Sequence, residues 1–114
     1  MTIGTTGFGW IEIDQRRYTH DVVVADPGEI RNRYEGFSGD SHLFTPTEAA
    51  KVLTPSVRQL VVGTGQMGIL TVPPETLEFL ETQGVKAFVE RTPQAILTFN
   101  RLTGGKCGLF HVTC

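Results

Sequence analysis

The first third of the chain carries apolar residues at the short period of strands. Phe8, Trp10 and Ile11–Ile13 predict a strand near Gly7–Ile13, with Asp14-Gln15 as a short turn. That turn is less favourable than Asn-Gly or Asp-Gly. Arg17–Ala25 reads as a second strand that ends in the run Val22-Val23-Val24, and Asp26-Pro27-Gly28 stops it. In that stop Pro fixes one dihedral and Gly permits a positive φ. Ile30–Tyr34 reads as a short third strand, with Ile30, Asn32 and Tyr34 on one face and Arg31 and Arg33 on the other. Glu35–Ser41, with Gly36 and Gly39, is a loop.

The period then lengthens. Thr45-Pro46-Thr47-Glu48 is a capping box with Pro at the first helical position, and the helix it opens ends before Pro55. Gln59–Val62 is a short buried strand closed by Gly63-Thr64-Gly65. Pro73-Pro74-Glu75 opens a second helix with Leu77 and Leu80 inward, stopped by Gly84. Val85–Glu90 is the next strand. Thr92-Pro93 caps and starts a third helix, whose stripe is Ala95, Ile96, Phe99 and Leu102; Lys106–Val112 is the last strand. From Gln59 onward the order is strand, helix, strand, helix, strand. Two consecutive βαβ units follow, with parallel strands and right-handed crossovers. Three strands cannot bury their helices alone, so the N-terminal strands either extend the sheet or cover a face. The fold class is α/β: a small layered domain with a mixed sheet, a C-terminal parallel βαβαβ unit and an N-terminal antiparallel hairpin region.

Composition sets the boundaries of function. The 114 residues form one domain, 1–114, large enough for a core without metal or disulfide staples. Ten basic and twelve acidic residues give a net charge of −2, which provides no basic field for nucleic acid. The longest apolar runs are about four residues, far from the ~20 that span a bilayer. The first Arg is Arg16, so no secretory signal is expected, and a cytoplasmic location follows. A regular strand would hold Cys107 and Cys114 beyond the ~7 Å reach of a disulfide, which agrees with a reducing compartment.

The chemical motifs are few. Gly63-Thr64-Gly65-Gln66-Met67-Gly68 matches the dinucleotide-binding glycine pattern, and Glu90 stands where a ribose acid would. In that fold the glycines open the helix directly; here β-branched residues and Pro73-Pro74 delay it by about six residues. A strand-ending turn with tightly packed glycines is the better reading, and no cofactor is expected. Asp40-Ser41 after Gly39 resembles the nucleophile block of a small esterase family. Asp40 is the last Asp of the chain, so the distant Asp-x-x-His is missing and Ser41 reads as a turn cap. His111 and Cys114 fall on opposite faces of a regular strand, and His42 or His20 could join them only through the tertiary fold. A metal site and a catalytic residue are therefore not expected. Arg16-Arg17 with Arg31 and Arg33 reads as a solvated face, because Asp14, Asp21, Asp26 and Glu29 are interspersed.

A binding site, if present, belongs at the carboxyl ends of the parallel strands. Those ends are Gly63-Thr64-Gly65-Gln66, Glu90-Arg91-Thr92 and His111-Val112-Thr113-Cys114, with Gly63, Thr64, Gly65, Gln66, Arg91, Thr92 and His111 as the candidate ligand-binding residues. Helix N-termini and the Arg91 charge suit this edge to a small anion.

Six pieces in register resemble a known family. They are Phe8-Gly9, Asp21-Val22-Val23-Val24, Gly63-Thr64-Gly65, Pro73-Pro74-Glu75, Thr92-Pro93-Gln94-Ala95 with Phe99-Asn100, and His111-Val112-Thr113-Cys114. Their order and spacing, from about Thr6 to Cys114, resemble the small domain family of the adipogenesis-associated Mth-domain-containing protein and of mitochondrial complex I assembly factor three. The resemblance implies a three-layer α/β fold with a mixed central sheet, and it supplies no catalytic residue. The mitochondrial member helps assembly by contacting other proteins, so a non-enzymatic binding or assembly module is the first functional expectation. A mitochondrial address does not carry over, because no targeting segment precedes Thr6. The alternative is a binder, or weak enzyme, for a small anion at the carboxyl edge. Other proteins are the expected partners, without nucleic acid or membrane, for a monomer or homodimer.

Overall fold

The structure is a computed structural model that describes all 114 residues. Strands β1 (Ile3–Gly7), β2 (Trp10–Ile13) and β3 (Arg16–Tyr18) form an antiparallel sheet in that order. The rest of the chain is β4 (Val22–Ala25), β5 (Glu29–Asn32), α1 (Pro46–Val52), β6 (Gln59–Thr64), α2 (Pro74–Thr82), β7 (Lys86–Glu90), α3 (Thr92–Arg101) and β8 (Lys106–His111). These five strands make a mixed sheet in the order β5-β4-β8-β6-β7. β6 lies parallel to both β7 and β8, while β4 runs antiparallel to β8 and β5. The two βαβ units read from the sequence are present.

The N-terminal strands do both jobs left open to them. β4 and β5 extend the sheet, and β1–β3 cover one face. Strand alternation divides the core. Leu60, Val62 and Leu109 face Phe44, Ala49 and Leu80 on the α1/α2 side. Val61, Phe110, Val22 and Val24 face Ile3, Ile11, Ile13, Ile96 and Phe99 on the other, beneath α3 and the small sheet. No helix is long and apolar enough to cross a membrane.

Several boundaries differ from the periodicity. The Gly7–Ile13 segment turns at Phe8-Gly9, where Gly9 has φ 89°, and β2 folds back on β1. The Arg17–Ala25 segment breaks at Thr19–Asp21, because its halves belong to different sheets. β5 ends at Asn32 rather than Tyr34; the Asn32 side chain accepts the Tyr34 N–H and its carbonyl the Glu35 N–H. In α2, Leu80 is buried as expected but Leu77 is 41% exposed. Thr76 is the buried neighbour, its hydroxyl donating to the Phe44 carbonyl at 2.8 Å.

The Asp14-Gln15 turn forms as read, and both residues carry positive φ, 49° and 71°. The two residues between Ile13 and Arg16 thus take the left-handed pair that suits a tight hairpin. The Asp14 carboxylate and N–H are both tied to Thr2, which supports the strained turn. A side chain in this region costs about 1–2 kcal/mol, and glycine's chain entropy returns part of that. Gln15→Gly is therefore expected to stabilise the domain by about 0.5–1 kcal/mol, read as a higher midpoint in urea at unchanged slope.

Candidate functional site

The parallel strands bring the expected edge residues together. Gly63 and Thr64 pair with Phe110 and His111 across β6 and β8, and Gly63 pairs with Glu90 on β7. Arg91 and Thr92 follow at once. The edge is knitted by its own groups. Thr92 is not the cap of α3: Arg91 holds the N-cap position and Thr92 is the first helical residue. The buried Thr92 hydroxyl instead donates to the His111 carbonyl at 2.6 Å and accepts the Gly65 N–H at 2.9 Å, joining the ends of three strands. The Thr64 hydroxyl donates to the Glu90 carbonyl. The Gln66 N–H goes to the Thr113 carbonyl, and those of Met67 and Ile69 to the Cys114 carbonyl. The Gln66 side-chain amide donates to the Thr6 hydroxyl. The N–H groups of Gly65, Gln66, Met67 and Ile69 are thus bonded inside the protein.

The glycines serve close packing. A Cβ on Gly63 would lie 2.8 Å from the Thr92 hydroxyl oxygen, and Gly65 has φ 105° against the Cys114 backbone. Helix α2 opens only at Pro74, and the Glu90 carboxylate accepts from Thr98. Arg91 is the exposed cation of this edge and forms no ion pair.

The main charged constellation lies one strand away, around Asp21. Asp21 precedes β4, and Val22 pairs with Phe110, so its carboxylate meets His111 at the end of β8. His111 Nδ1 stands 2.6 Å from Asp21 Oδ2. Arg33 Nη1 donates to the same oxygen at 2.9 Å and the Tyr34 hydroxyl at 2.6 Å; Oδ1 accepts the Val112 N–H. Arg33 is buried and not part of a solvated basic face. Its Nε and Nη2 grip the Glu48 carboxylate at 2.8 and 3.0 Å, and its remaining bonds reach the Ser41 and Leu43 carbonyls. Glu48 completes only half of the capping box. Thr45 accepts its N–H, but its carboxylate turns to Arg33. Asp40, not Ser41, caps the neighbouring turn through the His42 N–H.

Electrostatics follow from this geometry. Burial alone would raise the Asp21 carboxyl. Hydrogen bonds from His111, Tyr34, the Val112 N–H and Arg33 outweigh it and hold the group at about 2. Burial, together with the Asp21 charge, pushes the Tyr34 hydroxyl up to about 12. Burial works against the Arg33 charge, but Glu48 and Asp21 more than restore it. No buried side-chain polar atom lacks a partner.

The network borders a cleft of about 390 Å³ between the β5 edge, the loop 33–45 and α1. Val23, Phe37, Leu43 and Val52 supply its apolar wall, and Arg31, Lys51, Glu35 and Asp40 its charges. Sequence reading missed this site. The one signal available was Arg33 with Glu48 and Asp21, whose partners lie 15 and 12 residues away. Two further groups come together that the sequence kept apart. Regular strand structure ends at His111, so alternation no longer places Cys114. Cys114 Sγ lies 3.4 Å from Nε2 of His42. Both cysteines are free thiols, and Cys107 is in the core.

Three layers around a five-stranded mixed sheet, with a small antiparallel sheet on one face, define a compact mixed α/β domain of the Mth type. The chain belongs to the family of proteins of unknown function DUF498/DUF598, whose model matches residues 3–107. The conserved hypothetical protein PH1505 from Pyrococcus horikoshii is 31% identical, with a TM-score of 0.89 and full coverage of both chains. A protein designated MT938 is 23% identical, with a TM-score of 0.80 over 99% of this chain and 98% of its own. A Mth938-like domain from Bordetella pertussis is 21% identical, with a TM-score of 0.65 over 97% of this chain and 85% of its own. The last two likenesses are of fold. Together they bear out the Mth-type resemblance and the three-layer architecture.

Thr92 is the test of the knitted edge. Thr92→Val keeps the shape but leaves the Gly65 N–H and the His111 carbonyl buried without partners, at about 1–3 kcal/mol each. A loss of about 2–6 kcal/mol is expected in urea denaturation. Thr92→Ser, which keeps the hydroxyl, should lose no more than about 1 kcal/mol, the worth of one buried methyl.

Proposed function

We propose that this domain is a non-enzymatic binding module of assembly type, which holds an extended segment of a partner protein along β5 with a side chain anchored in the adjoining cleft. The observation that carries the reading is the cleft itself, beside an open sheet edge. β5 is the last strand of the sheet, so one side of its backbone has no strand partner. Such an edge can accept a further strand through main-chain hydrogen bonds, with specificity supplied by adjacent pockets. At about 390 Å³ the cleft is within the ~300–1,000 Å³ range of sites that enclose a ligand group. Its wall mixes apolar, cationic and acidic side chains, which suits a peptide better than a simple anion. The buried Arg33 pairs rigidify the floor, so the groove is formed before a partner arrives.

A second reading, the binding of a small anion at the carboxyl edge, is supported by one observation. Arg91 is a free cation beside the N-terminus of α3. The committed amides of Gly65, Gln66, Met67 and Ile69 weigh against it.

Amide NMR of the labelled domain separates the two. A panel of short extended peptides is expected to shift Ile30, Arg31, Asn32, Phe37 and Lys51, with Phe37→Ser weakening the response at least tenfold. Inorganic phosphate and nucleotides should leave both regions still. Shifts centred on Gln66, Arg91 and Thr92 with phosphate, and none along β5 with any peptide, would overturn the proposal in favour of the anion site.

A further inference from the structure

The segment after β8 and the loop 33–45 meet at one point. The Val112 N–H is held by Asp21, and the Cys114 carbonyl accepts the N–H groups of Met67 and Ile69. The backbone of His42 is fixed as well, its carbonyl accepting the Thr71 N–H. These anchors set Cys114 Sγ 3.4 Å from Nε2 of His42. The rings of His42 and His111 meet edge to face, with centroids 5.5 Å apart. One ligand atom from each of His42, His111 and Cys114 lies within 4.8 Å of the other two.

We propose that His42, His111 and Cys114 form a binding site for a zinc-type divalent ion. Two imidazole nitrogens and one thiolate are the donor set of a borderline-soft first-row ion, and not of magnesium or calcium, which take oxygen. The tautomer of His111 is already suited. Its Nδ1 faces the Asp21 carboxylate, which can only accept, so Nδ1 carries the proton. In the neutral ring Nε2 then presents its lone pair, which the Thr113 hydroxyl meets at 3.2 Å. A carboxylate behind a ligating histidine is the usual outer-shell partner; it orients the ring and raises its basicity. Asp40 lies near His42, with Oδ1 3.9 Å from Nδ1, too far for a hydrogen bond to the ring.

The distances are within reach of coordination. Zinc bonds of ~2.0–2.3 Å in a tetrahedron put neighbouring ligand atoms roughly 3.3–3.8 Å apart. The His42–Cys114 pair is already there, and the other pairs need to close by at most about 1.5 Å. His42 can supply that movement, because its side chain is 45% exposed. Binding releases the Cys114 thiol proton to solvent and forms the metal–sulfur bond. Three protein ligands leave a fourth position, on the open His42 side, for water or an incoming donor group.

The test is cobalt(II) titration of the full chain in a thiol-free reducing buffer, followed by zinc(II) competition. A thiolate-to-cobalt charge-transfer band is expected, saturating at one ion per chain and abolished by zinc. His42→Ala and Cys114→Ser, both at partly exposed positions, should each weaken binding at least tenfold, while His20→Ala leaves it unchanged. Circular dichroism confirms the fold of each variant. Zinc should also protect Cys114 from alkylation. Cys107, buried and with its thiol pushed up to about 12 by burial and the Asp26 charge, stays unreactive throughout. Absence of the band at millimolar cobalt, or equal affinity in wild type and Cys114→Ser, would overturn the proposal.

Discussion

The buried Asp21–Arg33 ion pair is the constraint around which the rest of this domain is arranged. An isolated charge in such a place is not tolerated, so every neighbour must complete it. Asp21 receives hydrogen bonds from His111, Tyr34, Arg33 and Val112, and Arg33 gives its own to Asp21, Glu48 and two carbonyls. Those partners come from β8, the segment after β5, the loop 33–45 and α1. One electrostatic requirement therefore holds together elements that the hydrophobic layers alone would leave loosely oriented. The arrangement also fixes what lies on either side. Arg33 and Glu48 border the cleft beside β5, and His111 is turned toward His42 and Cys114.

The carboxyl edge shows how similar ingredients can serve a different end. A glycine pattern after a buried strand, a helix start and an arginine are the parts of an anion site. Here Thr92 sits at the first position of α3 and ties the Gly65 amide to the His111 carbonyl. The loop then closes on the segment that follows β8. What recognition the domain performs is better sought where backbone and side chains remain uncommitted, along β5 and in its adjoining cleft.

Much of the architecture was legible in the sequence because it rests on local signals. Thr45-Pro46, Pro73-Pro74, Gly84 and the stripe Ala95, Ile96 and Phe99 mark helices by capping and period, and the alternation of strands and helices after Gln59 fixes a parallel unit. The shortfalls share one physical origin. Thr76 rather than Leu77 is buried, its hydroxyl bonded to the Phe44 carbonyl, a contact that no local pattern announces. Arg33 reads as a surface charge until tertiary folding brings Asp21 and Glu48 to it. Cys114 escapes the two-residue period because β8 stops at His111, and His42 joins it across 72 residues. Alternation carries information only while a strand stays regular, and ion pairs between distant residues leave no period at all.

The Asp21 carboxylate organises this half of the molecule. The most direct measurement is the unfolding free energy of Asp21→Asn against wild type in urea near neutral pH. The substitution keeps the side chain's shape, removes its charge and leaves the buried Arg33 with Glu48 alone. A loss of about 3–5 kcal/mol is expected, the cost of breaking a buried pair at one partner. A change below about 1 kcal/mol would show that the pair is incidental to the fold.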